Sequence, residues 1–402
     1  MLRRSAVLAL TLALVARTLP AQPNPPEVDQ KRVDQAIERG ARFLKQQVTG
    51  FGARENTSEL VVYTLLHAGV PINDPVLAQG LAWVKSLDVE RLSFKDKTYR
   101  VAVAAMVLEA ITPELHQRKL AQFGYFLVSN QCENGQWSYG ENVVLPESLV
   151  AIETGPPRPG AGKTRPLIPI RCPRRIGPPE GDFSNTQFAL LGLRACALAG
   201  FDIPAETWKL AERILEQGQH PDGGWGYKAN TKLRMTGPEG KGTAPGGRGG
   251  KGPAGVLGPD PEESYGSMTC SGVCGLVICK YYLHEDRKND RRILKGLDWL
   301  AERFTVESNP RSAKNPKSAL GPRGMQWHYY YLYALERTGL LCETERMGTH
   351  AWYPEGAELL LDQQYPNGGW ESDQGRYVED TCFAILFLRR ATKPVEPTRT
   401  TK

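Results

Sequence analysis

Two kinds of hydrophobic run alternate along this chain. Six runs, 30–47, 74–88, 113–130, 204–217, 288–304 and 354–364, are polar on one face and apolar on the other, the pattern of a helix lying against a core. Six others, 58–69, 98–111, 184–200, 267–283, 325–339 and 378–390, are apolar or aromatic nearly all round, which predicts buried helices. The two kinds alternate strictly, outer then inner, six times. No run alternates with period two, so essentially no sheet is expected. A linear stack of helix pairs needs polar capping repeats at its ends, and none stands out. Six pairs instead close a ring of inner helices inside a ring of outer ones. The expected fold class is all-α, a single (α/α)6 toroid over residues 30–390.

Three segments share the pattern Gln-x-x-x-Gly-x-Trp: Gln131 to Gly135 and Trp137, Gln219 to Gly223 and Trp225, Gln364 to Gly368 and Trp370. Each follows a pair of large apolar residues, Phe126-Leu127, Ile214-Leu215 and Leu359-Leu360. Each Gly follows Asn or Asp, the dipeptide that stops a helix and starts a turn. The Gln amide can bond main-chain groups orphaned at the helix end, and the Trp folds back as an apolar cap. A unit used three times at equivalent positions reads as a structural fastener. A degenerate copy without Trp stands at Gln46-Gln47-Val-Thr-Gly50.

Three connections are long: 138–182, rich in Pro and Arg; 229–266, rich in Gly, Lys and Pro; and 305–323, with Arg311, Lys314, Lys317 and Arg323. All run from an outer helix to the next inner one, so all are expected on one face, where a binding mouth would lie. The Gly-rich stretch is no phosphate loop, because no strand precedes it and no Gly-Lys-Ser/Thr follows.

The ends and the composition narrow the setting. Arg3 and Arg4 precede a run of about a dozen apolar residues, Ser5 to Ala16, the form of an export signal with Ala21 as its last residue. The run is too short to span a membrane, which takes about 20 apolar residues. A periplasmic or extracellular location is expected, with residues 391–402 as a disordered tail. The formal charge of +6 falls to near +3 once Arg3, Arg4 and Arg17 are removed. That balance argues against nucleic acid as a partner. Of the 8 Cys, several lie in apolar helical runs, while Cys132 and Cys172 lie in loop-like sequence and are the pair best placed for a disulfide.

The three Gln-x-x-x-Gly-x-Trp segments resemble the repeats of squalene and oxidosqualene cyclases, related to those of protein prenyltransferase β-subunits. With twelve alternating helices the resemblance covers most of residues 30–390. The stretches 327–336, 352–357 and 380–388 are similar to exported bacterial proteins that carry these repeats. The resemblance implies a terpenoid-cyclase-type toroid. Its activity would be that of an isomerase or transferase acting on an isoprenoid or other apolar substrate in a central cavity.

Aligned inner-helix starts place Ser58-Glu59, Arg100-Val101, Asn185-Thr186, Met268-Thr269, Trp327-His328 and Asp380-Thr381 around one mouth. Helix N-termini there would favour an anion. Hopene-type cyclases carry Asp-x-Asp-Asp-Thr, whose middle Asp protonates an alkene. The matching positions are Tyr377-Val378-Glu379-Asp380-Thr381, with the first Asp replaced by Tyr and the acid by Glu. Trp327, Tyr329, Tyr330, Tyr331 and Tyr333 could stabilise a cation by their ring faces. Prenyltransferase β-subunits bind zinc through an Asp-x-Cys pair and a His. Asp380-Thr-Cys382 has that spacing, and His328 starts the adjacent inner helix. The candidate catalytic set is Glu379, Asp380, His328 and Tyr329, and the candidate zinc set Asp380, Cys382 and His328. A different class remains open: a non-catalytic module binding a lipid, a glycan or a partner protein, which the degraded motifs in an intact fold favour.

Overall fold

A computed structural model describes residues 27–48, 50–52, 58–150, 152, 167–172, 174–229, 263–312, 327–372 and 375–395. In chain order the helices are α1 (Gln30–Gln47), α2 (Ser58–His67), α3 (Pro75–Ser86), α4 (Lys97–Ile111), α5 (Gln117–Ser129), the single turn α6 (Glu147–Val150), α7 (Phe183–Leu198), α8 (Ala205–Gly218), α9 (Gly266–Leu283), α10 (Arg291–Glu302), α11 (His328–Leu341), α12 (Trp352–Gln363) and α13 (Tyr377–Arg389). Apart from α6 they are the twelve that the hydrophobic pattern predicts. α12 begins two residues before the expected 354, because Pro354 fits the first turn, where its missing N–H costs nothing.

Local chemistry sets the boundaries. Asp29, Asp74 and Asp290 cap α1, α3 and α10, each carboxylate accepting from two main-chain N–H groups of the first turn. His284 and Arg390 adopt the left-handed conformation that ends α9 and α13. The outer helix α1 buries one stripe: Val33, Ala36, Ile37, Gly40, Ala41, Phe43 and Leu44. The inner helix α9 is buried without interruption from Gly266 to Lys280.

Packing closes the ring. α2 packs on α4, α4 on α7, α7 on α9, α9 on α11 and α11 on α13, and α13 returns to α2. The outer helices lie against this wall, α1 on α13 and α2, α5 on α4 and α7, α12 on α11 and α13. As expected there is essentially no sheet among the described residues: Ile168–Pro169 (β1) pairs in parallel with Phe201–Asp202 (β2), a two-residue contact that ties the 138–182 connection to the turn after α7. The described ends of the first two long connections bond back to the Trp that precedes each, and the third bonds to the second. Asp182 N donates to Trp137 O at 3.0 Å, Tyr265 N to Trp225 O at 3.1 Å and Ser312 N to Ser264 O at 2.9 Å, all on the face where inner helices begin.

The three repeated segments adopt one geometry. The Gln Nε2 donates to the Gly carbonyl of its own turn and to an outer-helix carbonyl: Gln131 to Thr207 at 2.9 Å, Gln219 to Arg292 at 2.8 Å, Gln364 to Ala36 at 2.9 Å. Each Trp Nε1 returns to a carbonyl ten residues earlier, Leu127 at 2.6 Å, Leu215 at 2.8 Å and Leu360 at 2.8 Å. Each Gly has positive φ, near +97°, +93° and +91°. A side chain there would strike the carbonyl of Leu210, Lys295 or Arg39. The fastener therefore couples one outer helix to the next.

Two expectations need correction. The tail does not begin at 391: Ala391, Thr392 and Val395 are buried, and the segment 391–395 crosses the end of the ring where inner helices stop. Cys132 and Cys172 are free thiols, Cys132 buried and Cys172 exchanging contacts with Ser129 Oγ and the Arg174 carbonyl. Residues 1–21, Gly50's neighbour Thr49, and 396–402 lie outside the described residues, as do 230–262 and 313–326 of the long loops.

Candidate functional site

The mouth where inner helices begin is where the sequence places the candidate set. Its polar residues are tied to one another and to the fold. Thr186, Thr269 and Thr381 accept the main-chain N–H of Trp137, Trp225 and Trp370 at 3.1, 3.2 and 2.9 Å. Arg100 Nε donates to both oxygens of Glu59, at 2.9 and 3.1 Å, with its guanidinium over Phe94 at 3.6 Å and Trp83 at 5.2 Å. Burial pushes the Glu59 carboxyl up to about 7 despite the Arg100 charge.

The candidate residues divide. Asp380 Oδ2 accepts from Ser372 N at 2.8 Å and Ser372 Oγ at 2.6 Å, binding the α12–α13 loop to the start of α13. Burial raises its carboxyl to about 6. Cys382 is fully buried, and desolvation pushes its thiol well above the usual range. His328 Nε2 donates to the Val306 carbonyl at 2.6 Å, and burial holds the ring below its ordinary pKa, hence neutral. Its Nδ1 is buried without a partner. Tyr329 is directed outward, its hydroxyl donating to Gln363 of α12 at 3.4 Å. Glu379 is half-buried on the first turn of α13. The expected zinc set is not assembled: Asp380, Cys382 and His328 each serve a different contact. Among the described residues no group of three His, Cys, Asp or Glu side chains converges as a metal site.

The axis of the ring is filled from α11 by the residues one turn apart at 330, 333 and 337. Tyr330 and Tyr333 meet Phe383 of α13 at 5.5 and 5.8 Å between ring centroids, and Tyr330 stacks on Phe188 of α7 at 6.3 Å. The Arg337 guanidinium lies over Tyr333 at 4.0 Å, with Phe188 at 5.8 Å and Tyr330 at 5.9 Å. Arg337 is 0 % exposed. Among the described residues no carboxylate or main-chain carbonyl accepts from its three nitrogens, and the Tyr333 hydroxyl is its hydrogen-bonding neighbour. Beside it, towards the ends of the inner helices, is a void of about 30 Å³, room for one or two water molecules. Tyr63, His67, Met106, Leu191, Arg194 and Tyr333 are part of its lining, with Thr392 and Lys393 from the crossing segment. Burial lowers His67 to about 4, so its ring is neutral.

The crossing segment is anchored on three inner helices. Glu336 of α11 accepts from Thr392 N at 2.9 Å and Thr392 Oγ1 at 2.8 Å. Arg194 of α7 donates to the carbonyls of Lys393 at 2.7 Å and Pro394 at 3.0 Å. Lys393 Nζ bonds Glu109 of α4 at 2.7 Å. Sequence reasoning missed Arg337, Glu336, Arg194 and Lys393. The available signal was charge inside otherwise apolar inner helices, near their ends, where a solvated last turn is the ordinary reading.

No family model and no curated protein matches the chain. Solved structures do. Unsaturated glucuronyl hydrolase from Bacillus sp. GL1 is 12% identical with a TM-score of 0.52, over 90% of this chain and 96% of that one. The type II terpene cyclase MstE from Scytonema, in complex with merosterolic acid A, is 12% identical with a TM-score of 0.49, over 90% and 97%. A protein from Actinoplanes is 12% identical with a TM-score of 0.49, over 90% and 100%. At such identity the likeness is one of fold, the (α/α)6 toroid, an architecture used by enzymes. No helix among the described residues is long and apolar enough to cross a membrane.

Proposed function

We propose that this chain is an exported, non-catalytic binding module that encloses a small molecule on the axis of its toroid. One observation carries the reading. Two acids at the mouth that resembles a cyclase site are engaged in holding the fold, Glu59 by Arg100 and Asp380 by Ser372, whereas the guanidinium on the axis beside the opposite end has ring faces and the Tyr333 hydroxyl but, among the described residues, no carboxylate bonded to it. A proton donor for alkene chemistry needs a free, strongly acidic carboxyl facing the substrate. Here burial makes Glu59 and Asp380 weaker acids, not stronger. An isoprenoid chain would also need the axial space that Tyr330, Tyr333, Phe188, Phe383 and Arg337 fill.

The test is turnover. The mature chain, incubated with squalene and with geranylgeranyl diphosphate, is expected to yield no product by mass spectrometry, and the Glu379→Gln variant to behave identically. Product from the native chain that disappears in Glu379→Gln would overturn the reading in favour of an isoprenoid isomerase or transferase.

A further inference from the structure

The buried cations of this fold are not treated alike. Lys280, nearly buried on α9, is surrounded by four carboxylates: Glu212 at 2.7 Å, Glu285 at 3.1 Å, Asp290 at 3.2 Å and Glu216 at 3.8 Å. Arg311 has Glu263 at 3.4 Å, and Arg100 has Glu59. Arg337 is more deeply buried than Lys280 or Arg311, and among the described residues no carboxylate or main-chain carbonyl accepts from it; its polar neighbour is the Tyr333 hydroxyl. Its neighbour Glu336 spends both oxygens on Thr392. Ring faces and one phenol hydroxyl offset only part of the desolvation of a guanidinium, so one with no carboxylate bonded to it persists in a fold for a reason other than stability.

The void beside Arg337 has a definite character. Arg194 gives its hydrogen bonds to carbonyls and has no carboxylate partner, Glu109 is neutralised by Lys393, and His67 is neutral. The lining therefore has an excess of positive charge on a wall of Met106, Leu191, Ala110 and Ala195. Leu198 continues that apolar wall to the rim, where it is 43 % exposed. The guanidinium fork matches two coplanar oxygens, and the apolar wall fits a short hydrocarbon body better than a fully hydrated phosphate.

We propose that the axial void at the end where inner helices stop is a binding site for a small monocarboxylate with an apolar body, gripped by Arg337 and covered by the 391–395 segment. The void as it stands holds only a water or two, so entry requires that segment to lift. Its polar anchors are Thr392 on Glu336, two carbonyls on Arg194, and Lys393 on Glu109, and Ala391 and Val395 pack into the core beside them. Lifting it withdraws Val395 from the core and opens the apolar wall.

The inference rests on the reading of the toroid as a ligand holder, and the two fail separately. Isoprenoid turnover would overturn that reading alone. For the site, the full mature chain is titrated with butanoate, 1-butanol and inorganic phosphate, following the thermal midpoint and the heat of binding. Butanoate is expected to bind and raise the midpoint, while the alcohol and phosphate do not. Arg337→Met is expected to weaken butanoate roughly tenfold or more while melting no lower than the native chain. Equal response to butanoate and butanol, a response to phosphate alone, or undiminished butanoate binding in Arg337→Met would each overturn the proposal. If Arg337→Met does not fold, the native chain still decides. The proton resonance of a buried arginine Nε–H must move with butanoate and stay with butanol, and a resonance unmoved by both counts against the site.

Discussion

The two ends of the toroid are built on different principles. Where inner helices begin, one device is used three times: a Gln, a left-handed Gly and a Trp, completed by a Thr of the next inner helix. In every copy the Gln N–H and the indole N–H are bonded, and the device couples α5 to α8, α8 to α10 and α12 to α1. Where inner helices stop, the contacts occur once each: Thr392 with Glu336, Arg194 with two carbonyls, Arg337 with ring faces and a void. Repetition marks what the fold needs at every turn. A single-copy buried charge beside a void, with no carboxylate bonded to it, marks what the fold would do better without, and that is where function should be sought.

The sharpest way to test the first half of this contrast is to remove one fastener. Trp225 is fully buried, its indole against Gly272 and Gly296, where any side chain would collide with the ring. Trp225→Ala is expected to cost about 3–5 kcal/mol in urea denaturation, with a cavity between α8, α9 and α10. A cost below about 1 kcal/mol would mean that the segment is an ornament of the loop, and the contrast between the ends would lose its basis.

The fold was largely legible because its signals are local. A helix buried all round and one buried on a stripe differ in sequence, and α9 and α1 show the difference directly. Asp-Gly and Asn-Gly announce left-handed turns wherever they stand. The site was not legible, because it depends on which way each inner helix is rotated when the ring closes. Tyr329 and Tyr330 are adjacent in sequence, yet one reaches outward to Gln363 while the other stacks on the axis. Asp380 resembles the remnant of an acid motif but holds a loop. Cys382 and His328 belong to neighbouring inner helices, and their side chains serve different contacts. Arg337 reads in the sequence as an ordinary charge near a helix end, and only the turn of α11 puts it on the axis.

A second test sets a carboxylate at one end against one at the other. Glu59 and Glu336 are both buried and both raised to about 7. Glu59 is bonded directly to the Arg100 guanidinium. Glu59→Gln removes the countercharge and leaves Arg100 buried on Phe94 and Trp83, at an expected cost of about 3 kcal/mol at pH 7.5 in the urea midpoint. A cost near zero would show that ring faces alone can hold a buried guanidinium here, and Arg337 would cease to be exceptional.

The smallest effect discriminates most finely. Glu336 bonds Thr392 rather than Arg337, and desolvation raises its carboxyl from an ordinary 4.5 to about 7, outweighing the Thr392 hydrogen bonds and the nearby Arg337 charge. Between those values the folded chain keeps a proton that the unfolded chain has released. Stability contributed at this position therefore falls as pH rises from about 4.5 to 7, and the full cost is present above 7. His67 and His328, both lowered by burial, push the other way, but they are common to both proteins and cancel in a difference. Gln at 336 cannot ionise and keeps an acceptor for Thr392. Relative to Glu336→Gln, the native chain is expected to lose about 1–2 kcal/mol between pH 5 and pH 8. If the difference is flat, Glu336 is already ionised at pH 5 and compensates Arg337 through space. The guanidinium would then have its counterion within the chain, as Arg100 does, and the axis would have no need of a carboxylate from outside.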